Sequence, residues 1–260
     1  MKTGLLFLLW WSFLAATNDC LSQDSTAHRD VYPRGIIPQV NFGYIAVRDE
    51  HISEEKYAGP VSRFAVYWAW FHETYGFRIG IAYDEASHIK NYNVSAELKA
   101  GTFSFVNLYP LGVWSLFGND AFAFLGPEAE AFVYYRKQNI AHNNNASPNV
   151  YQSAAWLFSL GIRLEMVLPF KGGFQLEGAF HAGLISVGGG TGSDAGTGSP
   201  ITIQTPAGAV RGGIEAGLRY SLIASVSIAV GYRWEVTRIS EWNRLLASSD
   251  NVCASLAYSF

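Results

Sequence analysis

Cysteine is nearly missing from this 260-residue chain; Cys20 and Cys253 are the pair it has. If a leader is removed after Ser22, Cys253 stays alone, so no intramolecular disulfide framework can form. A lone cysteine among small residues reads as a buried filler. Charge is also scarce. Charged residues make up 15%, against roughly 25% in ordinary soluble domains. The net charge of -3 carries no basic footprint for nucleic acid. Long apolar runs are missing beyond Ala16, which excludes a transmembrane helix after that point. Neither a metal-ligand cluster nor a Gly-x-Ser-x-Gly nucleophile elbow occurs, and no cofactor is expected.

What is present begins with Lys2 and the apolar run Leu5 to Ala16. That run is too short to span a bilayer and has the layout of a secretory signal peptide over residues 1–22. Cleavage after Ser22 or after Thr17 both fit, and Thr17-Asn18-Asp19 makes a poor lipobox for Cys20. Residues 23–38, with Pro33 and Pro38, read as a short tail on the periplasmic side. From residue 39 to 260 the chain alternates.

Period two is a strand period. Gln39–Arg48 sets Val40, Phe42, Tyr44 and Ala46 on one face. Ser62–Phe71 sets Phe64, Val66, Trp68 and Trp70 against Ala65, Tyr67 and Ala69. Tyr75–Asp84 sets Phe77, Ile79 and Ile81 against Arg78, Gly80 and Asp84. Residues 100–116 form the next segment, and 90–99 read as its extension above a membrane. Ala121–Tyr135, Ser153–Leu168, Phe174–Ile185, Gly208–Tyr220 and Val226–Val236 follow. The last segment, Val252 to Phe260, alternates Val252, Ala254, Leu256, Tyr258 and Phe260 with small residues. That makes ten strands, with eight or twelve as the neighbouring possibilities.

Connections alternate in length. His72–Thr74, Phe117–Asp120, Pro169–Gly173 and Ser221–Ser225 are short. Residues 49–61, 85–99, 136–152, 186–207 and 237–250 are long and read as five external loops. Short turns on one side and long loops on the other are the transmembrane barrel arrangement. Tyr75, Tyr83, Tyr220, Trp234 and Tyr258 lie at strand ends, where interfacial aromatic girdles sit. A soluble sandwich also alternates, but its polar face meets water and carries Lys, Glu and Thr. Here that face is mainly Gly, Ala and Ser with isolated charges, as a crowded lumen needs. A sheet in lipid must also close on itself. The expected fold is therefore an all-β, antiparallel, up-and-down transmembrane barrel.

Two stretches sharpen this. The C-terminal strand, ending on an aromatic, resembles the closing strand of bacterial outer-membrane barrels. That resemblance implies that Val252, Leu256, Tyr258 and Phe260 form the signal read by the barrel-insertion machinery. Val106-Asn107-Leu108-Tyr109-Pro110-Leu111 followed by Phe122-Ala123-Phe124-Leu125-Gly126-Pro127 resembles the outer-membrane β-barrel domain family of small porin-like proteins. The resemblance implies an outer-membrane location, lipids as surroundings and an eight-stranded architecture, from which the count of ten departs.

The small-residue face carries the candidate site. Arg78, Glu128, Glu130, Arg163, Glu165, Glu177, His181, Arg211, Glu215, Arg219, Arg233 and Glu235 all fall on it, and their signs nearly balance. Buried charges need partners, so an ion-pair network filling the lumen is expected, rather than the lining of an open channel. The alternative is a lipid-modifying enzyme, an acyl hydrolase or acyltransferase, with His181 near Glu177 and Ser186 as its one inward histidine. His51, His72, His88 and His142 lie off the strand faces. Gly189–Asp194 fits one copy of a calcium-binding repeat that works by stacking, and reads as linker.

Overall fold

The computed structural model describes residues 34–49, 53–71, 75–90, 94–140, 149–194, 200–202, 207–239 and 245–258. Every regular element among them is a strand: β1 (Gly35–Asp49), β2 (Ser53–Phe71), β3 (Gly76–Lys90), β4 (Val94–Leu116), β5 (Asn119–Ile140), β6 (Asn149–Pro169), β7 (Phe174–Asp194), β8 (Pro200–Thr202), β9 (Ala207–Ile223), β10 (Val226–Ile239) and β11 (Leu245–Tyr258). β8 is a three-residue strand held on the end of β7. The other ten pair in sequence order, all antiparallel. β1 closes on β11, so no edge is left among them.

Closure requires a stagger. Followed rung by rung through β2, β3, β4 and β5, Gln39 leads to Leu157 on β6. Followed the other way, through β11, β10, β9 and β7, it leads to Pro169 on the same strand. The twelve-residue offset means that every strand runs tilted to the barrel axis. Residues level with one another in the lumen are therefore far from level in strand register.

The strands have 14 to 23 residues, apart from β8. A tilted strand crosses a bilayer in about 9–11, so the wall continues past the apolar band. The extensions take up most of what reads in the sequence as long loops: β1 and β2 are joined by residues 50–52 and β3 and β4 by 91–93. Gly189–Asp194 is the end of β7, paired to β6 and β8 rather than serving as linker. The physical reason is an inversion of polarity. In the band, large apolar residues such as Phe42, Ile81, Phe103 and Val230 face out. Above it Lys56, Glu97 and Lys99 face out, while Val47, Tyr57, Ile89 and Leu98 are buried inside.

The opposite end carries the tight turns. Phe117 and Gly118 both have positive φ, 53° and 75°, the mirror-image hairpin turn that matches strand twist. β1 starts at Gly35, so residues 35–38 of the expected tail belong to the wall. Pro38 is accommodated because pairing to β11 lapses at Ile37 and Pro38 while pairing to β2 continues. Likewise the β4–β5 ladder skips Gly126 and Pro127, and a bulge follows Pro110. β4 and β5 are pressed together there: a Cβ on Gly126 would meet the Asn107 carbonyl oxygen at 1.7 Å. Residues 1–33, with the leader and the start of the tail, and Ser259 and Phe260 lie outside the described residues.

Candidate functional site: the barrel lumen

Parity decides which side chains enter the lumen, and the stagger decides which of them meet. The inward residues sort into three layers. At the tight-turn end Ile37, Phe71, Leu108, Phe122, Phe124 and Val167 form an apolar cluster, with Phe71 edge-on to Phe124 at 5.4 Å. At the other end Val47, Tyr57, Ile89, Leu98, Tyr134 and Leu157 form a second. Arg136 and Gln138 are buried beside that second cluster, and both donate to the Tyr57 hydroxyl, at 3.1 and 2.8 Å. Charged side chains occupy the layer between.

The contacts of that layer run between neighbours and straight across the barrel. Arg78 Nη2 on β3 donates to Glu165 Oε1 on β6 at 2.7 Å. Arg163 also bonds Glu165, its guanidinium lies 3.2 Å from Glu215 on β9, and Glu128 on β5 is 3.6 Å away. Arg211 reaches Glu130 at 3.0 Å and Glu235 at 3.4 Å, with its guanidinium 4.5 Å over the Phe132 ring. Arg233 donates to Glu235 at 2.6 Å and lies 3.6 Å from Glu215. Arg219 and Glu177 form a two-pronged pair on β9 and β7, the second bond 3.1 Å. His181 Nδ1 is 3.3 Å from Glu128 and its Nε2 3.9 Å from Glu235.

Two members of the layer are absent from the charges picked out by sequence. Arg63 on β2 is 2.9 Å from Glu235 and 3.6 Å from Asp84 on β3. Both share parity with residues read as inward, Arg63 with Ala65 and Tyr67 and Asp84 with Arg78, so the signal was there. With them, carboxylates (Asp84 and six glutamates) exceed guanidiniums by one, and His181 sits between the two sets.

Local backbone makes the crowding possible. His181, Gly213 and Glu235 lie in one rung across β7, β9 and β10. A Cβ on Gly213 would meet His181 Nε2 at 2.6 Å and the Trp234 carbonyl oxygen at 2.5 Å. Only glycine lets the imidazole lie across β9 toward Glu235. The expected neighbours of His181 differ from those found: Ser186 bonds Ser159 and Glu177 bonds Arg219, so no Ser–His pair is assembled there. His51, His72 and His142 lie outside the described residues, and His88 is described in its backbone alone. Among the described residues no group of His, Cys, Asp and Glu has metal-site geometry.

On the outer surface, Val252, Leu256 and Tyr258 of β11 face away from the lumen. An apolar band runs round all ten strands. Tyr44, Tyr83, Tyr135 and Trp156 mark its upper border, and Trp68, Trp114, Tyr220 and Tyr258 its lower one. Phe174 and Tyr220 stack there at 4.6 Å.

Solved structures share this architecture. The outer-membrane protease OmpT from Escherichia coli superposes with a TM-score of 0.54 at 9% identity, over 88% of this chain and 97% of that one. The translocator domain of the autotransporter NalP from Neisseria meningitidis gives 0.53 at 13% identity, over 100% and 98%. No protein-family model matches the sequence, and no curated protein does. At such identities the likeness concerns the fold. The chain has the fold of the outer-membrane β-barrels: closed, antiparallel and ten-stranded, with one short added strand.

Proposed function

We propose that this chain is a bacterial outer-membrane barrel of porin-like type. Its role is structural or surface-binding, and its lumen passes small solutes slowly at most. The observation that carries this is the three-layer filling, with a paired charge layer between two apolar clusters. An eight-stranded barrel is just filled by side chains, and open aqueous channels belong to barrels of about 16–18 strands. Ten strands with long inward arginines stand near the filled end. Residues 1–22 serve as the export leader. Outer-membrane lipids contact the apolar band, and Val252, Leu256, Tyr258 and Phe260 present the insertion signal to the assembly machinery.

Liposome swelling with sugars of graded size tests the lumen. Swelling at or below that of protein-free vesicles is expected for every sugar. Fast swelling with a disaccharide refutes a filled lumen. Removing Phe260 in cells is expected to lower the yield of heat-modifiable barrel several-fold, and unchanged assembly refutes the assigned signal.

A further inference from the structure

We propose that water and small monovalent ions cross this barrel along one wall, formed by β9, β10 and β11, and that the cluster around Glu235 is the gate on that route. The inference rests on the reading of a filled lumen and says where the filling is incomplete.

The apolar layers are lopsided. The upper cluster draws its buried members from β1 to β6 and the lower one from β1, β2, β4, β5 and β6, with Ala257 of β11 the one exception. The facing wall is small and polar instead. β10 turns Ser227, Ala229 and Gly231 inward, and β11 turns Ser255, Asn251 and Ser249 inward. Bulk that plugs one half of the bore is missing from the other.

Two cavities abut that wall. The lower, about 140 Å³, has Gly217, Gly231, Cys253 and Ser255 on this wall and Arg78, Glu128 and Arg163 opposite. The upper, about 60 Å³, has Thr237, Ser249 and Asn251 on this wall and Leu98, Ala100 and Tyr134 opposite. Either has room for more than one water. Between them Glu235 is held by Arg63 at 2.9 Å, Arg211 at 3.4 Å and Arg233 at 2.6 Å, and Arg63 lines both cavities. The wall there also asks for water. The side-chain amide of Asn41 and the side-chain oxygen of Asn251 are buried without a hydrogen-bond partner among the described residues. Buried polar atoms left so by the protein are met by ordered water. The small volume of each cavity limits the route to water and small ions.

Thiol accessibility tests this in barrels carrying Cys253→Ser and one new cysteine, in vesicles oriented with the tight-turn end toward the reagent. The probe is Ag⁺, a thiol-reactive monovalent cation small enough for the route. Ser255→Cys, below the cluster, should react. Ser249→Cys, above it, should react at least tenfold more slowly while Glu235 is intact. Glu235→Gln keeps the shape of the side chain and removes its charge. It should raise the Ser249→Cys rate at least tenfold and increase planar-bilayer current. A silent Ser255→Cys overturns the route. Equal rates at the two positions with Glu235 intact overturn the gate and the filled lumen together. If Ser249→Cys stays slow in both Glu235→Gln and Glu235→Ala, while heat-modifiable migration shows a folded barrel, the gate assignment fails and the filled lumen stands.

Discussion

Replacing Arg163 by methionine removes a guanidinium and leaves a side chain of similar length. Arg163 touches Glu128, Glu165 and Glu215. Its side chain is 5% exposed, and those of Glu128 and Glu165 are each 9% exposed. Removing one partner of a dry buried ion pair costs about 3–5 kcal/mol, because the other charge is stranded. The loss here belongs at the lower end. Glu165 keeps Arg78 at 2.7 Å, Glu128 keeps His181 at 3.3 Å and Glu215, 27% exposed, keeps Arg233, and all three carboxylates border the lower cavity. About 3 kcal/mol is expected. Arg219→Met is the internal control. Its partner Glu177 is 24% exposed, so the pair is partly watered and about 1 kcal/mol is expected. Reversible urea unfolding of the two variants in lipid vesicles, followed by tryptophan fluorescence, gives the comparison. If Arg163→Met costs less than Arg219→Met, or both fall within about 1 kcal/mol of the parent, the charge layer is wet and does not fill the lumen.

Phe124→Ala empties the lower apolar cluster beside Phe71 and should cost about 3–5 kcal/mol in the same titration; a loss under 1 kcal/mol would mean that the cluster is not close-packed. Ile81→Lys places a charge in the lipid-facing band and should cost roughly 2–4 kcal/mol, whereas Glu97→Lys, on the exposed upper wall, should change stability by less than about 0.5 kcal/mol. Equal effects would misplace the membrane. Gly126→Ala drives a methyl into the Asn107 carbonyl and should cut the refolded fraction on heat-modifiability gels several-fold. Refolding at the parental level would show that β4 and β5 separate freely there.

Fold class, a strand count near ten and the side of the sheet each spanning residue takes are all legible in the sequence. Parity alone sets that side, because a residue two further along a strand returns to the same face. Arg78, Arg163, Glu165, Glu215, Arg233 and Glu235 are legible as one small-residue face without knowledge of where any strand lies. Arg63 and Asp84 were legible on the same ground. Residues 90–99 read as an extension of the next strand, and β4 does reach up to Val94; the other extensions read as loops, because above the apolar band the period continues while the polarity inverts, so Tyr57 points inward and Lys56 outward. A search for apolar-out alternation stops where the lipid stops.

The partners were set by closure of the sheet. Arg78 meets Glu165 and Arg63 meets Glu235 across the bore, between strands far apart in the chain. Those meetings follow from closure of β1 on β11 and from the twelve-residue stagger between Leu157 and Pro169, and a linear pattern carries no record of either. The same is true of the lopsided filling. Each strand shows locally whether its inward residues are large or small, but which half of the bore is plugged emerges when the curved sheet brings opposite walls within reach of a side chain.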